Sequence, residues 1–187
     1  MIHRPGREIE NLTPKLLERL LFDDIPYLEV ARKEHDRFAQ ILKENDVEVL
    51  YLEELVTEAL KDDKIKKIFL QQFLNESHII CKEIYKELYE YLILKPTSEM
   101  INTLMAGVRK NEIEVKEMHS LRGLIGNQYP FYLDPMPNLY FTRDPGASIG
   151  NGITINTMKT EARRRETLFL EFIHEYHKSF KDRKSVV

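Results

Sequence analysis

The sequence predicts an α/β protein interrupted by an all-helical insertion, and three observations lead there. Residues 47–52 read VEVLYL, a short run of β-branched and aromatic residues of the kind that fills a buried or half-buried strand. Residues 147–156 read ASIGNGITIN, where Gly150, Asn151 and Gly152 accept the positive φ that a tight hairpin demands. Between these flanks, from Glu53 to about Arg122, glycines become scarce and Lys/Glu pairs frequent, with helical segments near 53–61, 64–74, 77–94 and 98–106.

The helices announce their own ends. Thr13 before Pro14 is a helix start, with Leu16, Leu17, Leu20 and Leu21 on one face of the short helix that follows. Residues 27–45 set Leu28, Ala31, His35, Phe38, Ile41 and Leu42 three and four apart, the spacing of an amphipathic helix, and Asn45 is its stop. Lys95-Pro96-Thr97-Ser98 breaks the helical block and starts a fresh helix. The stretch LIGNQYPFYLDPMPN reads as loop, and the last helix begins near Glu161 and carries Leu168, Phe169, Phe172, Ile173 and Tyr176 towards a core. The chain stops at KDRKSVV directly after a helix and starts at MIHRPG like the tail of a strand, so both ends read as cut.

Bulk properties exclude several classes of function. The 187 residues, 42% hydrophobic with a net charge of -3, suit one soluble domain or one domain with an insertion. With 28 basic against 31 acidic residues and no basic stripe interleaved with aromatics, there is no electrostatic case for nucleic acid. No run of 18 apolar residues reads as a membrane span, and the N-terminus MIHRPGRE lacks the apolar core and small-residue cleavage site of a signal peptide, so a cytoplasmic location is expected. The single cysteine, Cys81, suits a reducing compartment and rules out a multi-cysteine metal site. His35, His174 and His177 form no ligand pattern, so no metal is implied; His78 lies one turn from Cys81 without making a dyad of it.

Chemistry concentrates in MPNLYFTRDP at 136–145, LLFDD at 20–24 and Arg163. A carboxylate such as Asp144 offers two oxygens in a plane and accepts a guanidinium in a two-point fork; Arg163 offers the reverse geometry to a carboxylate. Together with the amide of Asn138 and the apolar walls of Phe141 and Leu21, they would receive a free arginine. Asp144 would take its side-chain end, Arg163 and Asn138 its α-carboxylate, and the walls its methylenes. The bland alternative has Asp144 capping a turn and Arg163 in a surface ion pair.

The motifs HRPGREIENLTP (3–14), ERLLFDDIPYLEVARKEHDRFA (18–39), VEVLYLEEL (47–55), MPNLYFTRDP (136–145) and IGNGITINTMKTEARRRETLF (149–169) stand in the order found in the arginine deiminases. Over essentially its whole length the chain resembles that family, part of the guanidine-modifying enzyme superfamily. The resemblance implies a pseudo-fivefold α/β propeller of ββαβ-type modules. Residues 1–55 would be a first module lacking the start of its first strand, 56–125 the helical insertion, and 126–187 the strands, hairpin and helix of a truncated next module.

It also implies the hydrolysis of L-arginine to L-citrulline and ammonia, with no cofactor. In the family pattern Asp144 is the catalytic residue that binds the substrate guanidinium, and Leu21, Asn138, Phe141 and Arg163 bind the rest of the substrate. The cysteine nucleophile and the histidine acid/base would come from later modules, Cys81 matches no family nucleophile, and the chain alone is expected to be inactive. L-Arginine is the implied partner, and homo-oligomers are possible for a full-length enzyme. A non-catalytic arginine-binding module and a related guanidine hydrolase or amidinotransferase are the alternatives. Two departures stand out: Gly146 occupies a place where many relatives carry a bulkier apolar residue, and residues 180–187 leave the family pattern.

Overall fold

The computed structural model describes residues 1–115, 129–150 and 152–180. In chain order the helices are α1 (Arg7–Glu10), α2 (Leu17–Leu20), α3 (Leu28–Glu44), α4 (Leu52–Ala59), α5 (Asp63–Glu76), α6 (Lys82–Ile93), α7 (Thr97–Ala106), α8 (Glu161–Arg164) and α9 (Glu166–Tyr176). Strand β1 (Val108–Arg109) pairs antiparallel with β2 (Phe131–Leu133), and β3 (Gly146–Ile149) with β4 (Gly152–Ile155). Mixed helix and small sheets of this kind are compatible with an α/β fold.

The four helical segments expected between residues 53 and 106 form, with one correction, while residues 116–122 of the expected block lie outside the described residues. The segment expected to be helical from residue 77 begins at Lys82. Ser77 caps α5 and His78 turns into the left-handed region at φ 50°, which ends one helix before the next can start. A second correction concerns 47–52. Of that run only Tyr51 makes a β-bridge, parallel to Ile2, and Leu52 already opens α4. Backbone groups of an extended segment need a partner strand, and the β-bridge to this one comes from Ile2, which donates to Leu50 O at 2.9 Å and accepts from Leu52 N at 2.9 Å. The hairpin is as expected: Ile149 stands opposite Gly152 and Gly150 has φ 57°, while Asn151 lies outside the described residues.

The main core unites the helical block with the last helix. Val56, Leu60, Leu70, Leu74, Leu88, Leu92, Met100 and Leu104 pack with Phe169, Phe172 and Ile173 in one cluster. At its centre Phe69 meets Phe172 edge-on at 5.0 Å and Phe169 at 5.5 Å. Each fully buried side chain of this size contributes about 1.5–3 kcal/mol, so α9 is fixed by its apolar face. Lys66 crosses the polar edge of the block and donates to Ile93 O at 3.1 Å and Lys95 O at 2.6 Å, satisfying carbonyls at the end of α6.

A smaller cluster of Ile9, Leu12, Leu16, Leu20, Leu28 and Phe131 gathers α1, α2, the start of α3 and β2. It is joined to α7 by Asn11, whose amide donates to Ala106 O at 2.6 Å while its oxygen accepts from Arg109 at 2.8 Å. The N-terminal segment is tied down by His3, buried between Glu53 (3.1 Å) and Glu8 (3.2 Å). The consequence for function is positional: Leu20 is anchored in one cluster and α9 in the other, and the candidate residues lie between them.

Candidate functional site

Each candidate side chain is set by a short irregular segment rooted in a buried neighbour. Leu20 is buried, and the chain leaves α2 through Leu21 in the left-handed region, φ 60° and ψ 41°, which turns the Leu21 side chain outwards. Residues 137–140 form a 3₁₀ turn that begins with Pro137, where a missing N–H costs nothing. Asn138 in that turn is buried, and its amide donates to Leu20 O at 2.7 Å, so it fastens the corner that presents Leu21.

From Asn138 the backbone steps to the acidic group. Phe141 N donates to Asn138 O at 2.9 Å and Asp144 N to Phe141 O at 3.1 Å, two turns that bring the aromatic ring and the carboxylate to the same surface. Asn156, just past β4, donates its side-chain amide to Asp144 O at 2.7 Å and its backbone N–H to Pro145 O at 2.9 Å. The hairpin thereby braces the Asp144-Pro145 turn.

Arg163 arrives from α8. Its Nη1 donates to Asp144 Oδ2 at 2.9 Å and its guanidinium lies 5.9 Å from the centre of the Phe141 ring. On its other edge Nε and Nη2 donate to Glu166, the latter at 2.8 Å. Burial opposes the arginine's charge, but Glu166 and Asp144 outweigh it and raise its pKa above the ordinary value. Glu166 has a side chain only 1% exposed, and burial raises its pKa against the pull of Arg163. Asp144 is 44% exposed on its side chain. The arginine is thus gripped firmly from below by a buried carboxylate and lightly from above by an open one.

All five sequence-predicted residues are therefore linked by contacts: Leu21 through Leu20 to Asn138, Asn138 to Phe141, Phe141 to Asp144, and Arg163 to both of the last two. Leu21 and Phe141 are about half exposed. Asp144 and Arg163 face each other directly, so the ion pair of the bland alternative is present, made between the two candidates themselves. Sequence reasoning missed Glu166 and Asn156. The first was signalled by its spacing of three from Arg163, which places an acid within reach of a base on neighbouring helical turns. The second had no signal, since only the register of the hairpin brings it to Asp144.

The neighbours have other fates. Arg164 is exposed, and Arg165 is buried, donates to Asp134 O at 3.0 Å and packs 5.2 Å from the Phe73 ring centre. Cys81 donates to Glu83 at 2.9 Å, and His78 points to Glu161 at 4.0 Å. Among the described residues no group of three or more His, Cys, Asp or Glu is placed to hold a metal ion, and no helix is long and apolar enough to cross a membrane. A hollow with room for about 10 Å³, roughly one water molecule, lined by Thr142, Pro145, Glu166 and Leu170, adjoins the site and is far smaller than the ~300–1,000 Å³ of ligand pockets. The cluster is an open half-wall with an acid and a base on its face.

Residues 18–187 match the arginine deiminase family. The chain belongs to that family. Curated arginine deiminases from Latilactobacillus sakei and from Bacillus cereus strain B4264 are 53% and 54% identical to it over 180 residues, and that of Bacillus cytotoxicus is 53% identical. In each case the match covers 96% of this chain and 44% of the relative. The chain therefore spans less than half the length of the arginine deiminases it resembles.

Proposed function

We propose that the chain is the substrate-gripping half of an arginine deiminase, the hydrolase that converts L-arginine and water to L-citrulline and ammonia. The supporting observation is the direct Asp144–Arg163 pair at 2.9 Å. Free arginine carries both of the charges that meet there. Its guanidinium replaces that of Arg163 on Asp144, and its carboxylate replaces that of Asp144 on Arg163. One internal ion pair is exchanged for two to the ligand, and only the ligand's α-ammonium takes no partner from these two residues.

Asp144, the more exposed partner, is the one free to swing, while Glu166 keeps Arg163 aimed throughout. Asn138 keeps the Leu21 corner in place, and in this reading Leu21 and Phe141 flank the methylenes. Asn138 spends one amide hydrogen on Leu20 O and has its second hydrogen left for the carboxylate.

In this reading the chain is part of an α/β propeller, with residues 56–125 as the helical insertion, and works in the cytoplasm. Deimination needs a thiolate to attack the guanidinium carbon and a histidine to move protons. We assign neither to Cys81 or to any histidine of this chain, so it forms no citrulline alone. A non-catalytic arginine-binding module would use the same geometry. The test follows the side-chain Nε–H signal of Arg163 by NMR during titration with arginine. A saturable shift in the millimolar range, absent in Asp144→Ala and absent with citrulline as ligand, is expected. No shift, or an equal shift in Asp144→Ala, overturns the reading.

A further inference from the structure

We propose that Thr142 and His3 are positioning residues for Asp144, joined through the backbone of residues 1–3, so that this segment braces the acidic end of the arginine grip and loosens it when His3 gives up a proton. The inference rests on reading Asp144 and Arg163 as the two ends of that grip. Thr142 lies within the turn that Asp144 N closes on Phe141 O, and its Oγ1 donates to Met1 O at 3.1 Å. Met1 also lines the small hollow beside Thr142, Pro145 and Glu166. The end of the segment therefore sits against the turn that carries Asp144 and against the carboxylate that holds Arg163. Asn156 braces the same turn from the hairpin, at the Asp144 and Pro145 carbonyls.

A brace works only if its far end is fixed, and residues 2–5 are each held. Ile2 exchanges backbone hydrogen bonds with Leu50 and Leu52. Arg4 forks onto Asp36 of α3 at 2.7 and 2.8 Å, and Pro5 O accepts from Arg32 Nε at 2.8 Å. His3 is the buried anchor between them, with Nδ1 on Glu53 of α4 and Nε2 on Glu8 of α1. Glu8 in turn accepts from Gly6 N.

The geometry makes this anchor depend on a proton. A neutral imidazole has one N–H and one lone pair, so only the imidazolium donates to both carboxylates. Burial opposes that charge, but Glu53 and Glu8 outweigh it and hold the pKa at about 9. From α3, His35 would repel a charged His3, but burial lowers its pKa and keeps it neutral. Arg4 and Asp36 offset each other, and Tyr51 bears on Arg4. Once His3 is neutral, one carboxylate faces a lone pair, and the segment that ends at Met1 O loses half of its anchor.

The experiment follows the side-chain carboxyl carbon of Asp144 by NMR from about pH 7 to about pH 10.5 without ligand. It then measures affinity for δ-guanidinovalerate, which keeps both charged ends of arginine and has no α-amino group to titrate in that range. A step at the Asp144 carbon centred near pH 9 is expected, with binding about fivefold weaker above it, the scale of one lost hydrogen bond. Both effects vanish in His3→Gln and in Thr142→Val and return in Thr142→Ser, which keeps the hydroxyl. His177→Gln removes a different buried histidine and leaves them in place. Circular dichroism checks the helices, and the two Thr142 variants decide the matter if His3→Gln unfolds. The proposal is overturned by the absence of a step, by a step that survives in Thr142→Val or His3→Gln, by one that Thr142→Ser fails to restore or His177→Gln also removes, or by an affinity that ignores the step. A Thr142-dependent step in a chain that binds no δ-guanidinovalerate upholds the brace and sinks the arginine-site reading instead.

Discussion

Arg163 bridges two carboxylates of opposite exposure, reaching Asp144 nineteen residues upstream at 2.9 Å and Glu166 three residues downstream at 2.8 Å. The two pairs have different energetics because water screens one and not the other. Asp144→Ala breaks a surface-type pair and should change unfolding free energy by about 0–1 kcal/mol. Glu166→Ala leaves a partly buried guanidinium without its main partner and should cost about 3–5 kcal/mol. Urea denaturation of the two variants measures the difference; equal losses would show that the two carboxylates hold the arginine alike.

His3 makes stability depend on alkaline pH. Burial pulls its pKa down, but hydrogen bonds to Glu53 and Glu8 outweigh that and raise it from 6.5 to about 9. The folded state binds the proton more tightly than the unfolded one, so the contribution is fully present below about pH 6.5 and is lost as pH rises through about 9. At ~1.4 kcal/mol per pKa unit it is on the order of 3 kcal/mol. Unfolding free energy measured from pH 6 to 10 should fall over this window, and His3→Gln should flatten that fall.

How far the sequence reaches depends on whether a contact is local. The helices of 53–106 were legible because their apolar periodicity is a property of each segment alone. The 47–52 strand failed because a strand is made by its partner, and Ile2 gives that run a single bridge. In the site, the consecutive residues Arg163, Arg164 and Arg165 look alike in composition, yet one faces Asp144, one is exposed and one is buried beside Phe73. Family resemblance singled out the first. Asn156 on Asp144 O and Asn138 on Leu20 O were invisible as contacts, since they depend on hairpin register and on the packing of two separate clusters.

Leu21 trades stability for position. A leucine held at φ 60° costs about 1–2 kcal/mol relative to a relaxed backbone, and its half-exposed side chain recovers little by burial. Leu21→Gly removes the strain but adds freedom to the unfolded chain, for a net gain of roughly 0.5–1 kcal/mol. Leu21→Ala keeps the strain and should change stability by less than about 0.5 kcal/mol. Thermal unfolding orders the three proteins, with Leu21→Gly the most stable; arginine-induced shifts at Arg163 should weaken in both variants as the apolar wall is lost.

Gly146 is small because Leu170 occupies the space beside it. A Cβ at position 146 would come 2.4 Å from Leu170 Cδ2 and 2.6 Å from Thr154 O. The first contact is to the end of a side chain on α9, the second to the backbone of the paired strand β4, which cannot yield without distorting the hairpin. Gly146→Ala should therefore destabilise by about 1–3 kcal/mol and disturb the brace that Asn156 makes to Asp144, two residues before Gly146. Leu170→Ala added to it relieves the first clash and leaves the second, so the double variant should lose less than the sum of the two single losses. A double-mutant cycle in urea measures that coupling; strict additivity would mean that the two side chains do not compete for the same space.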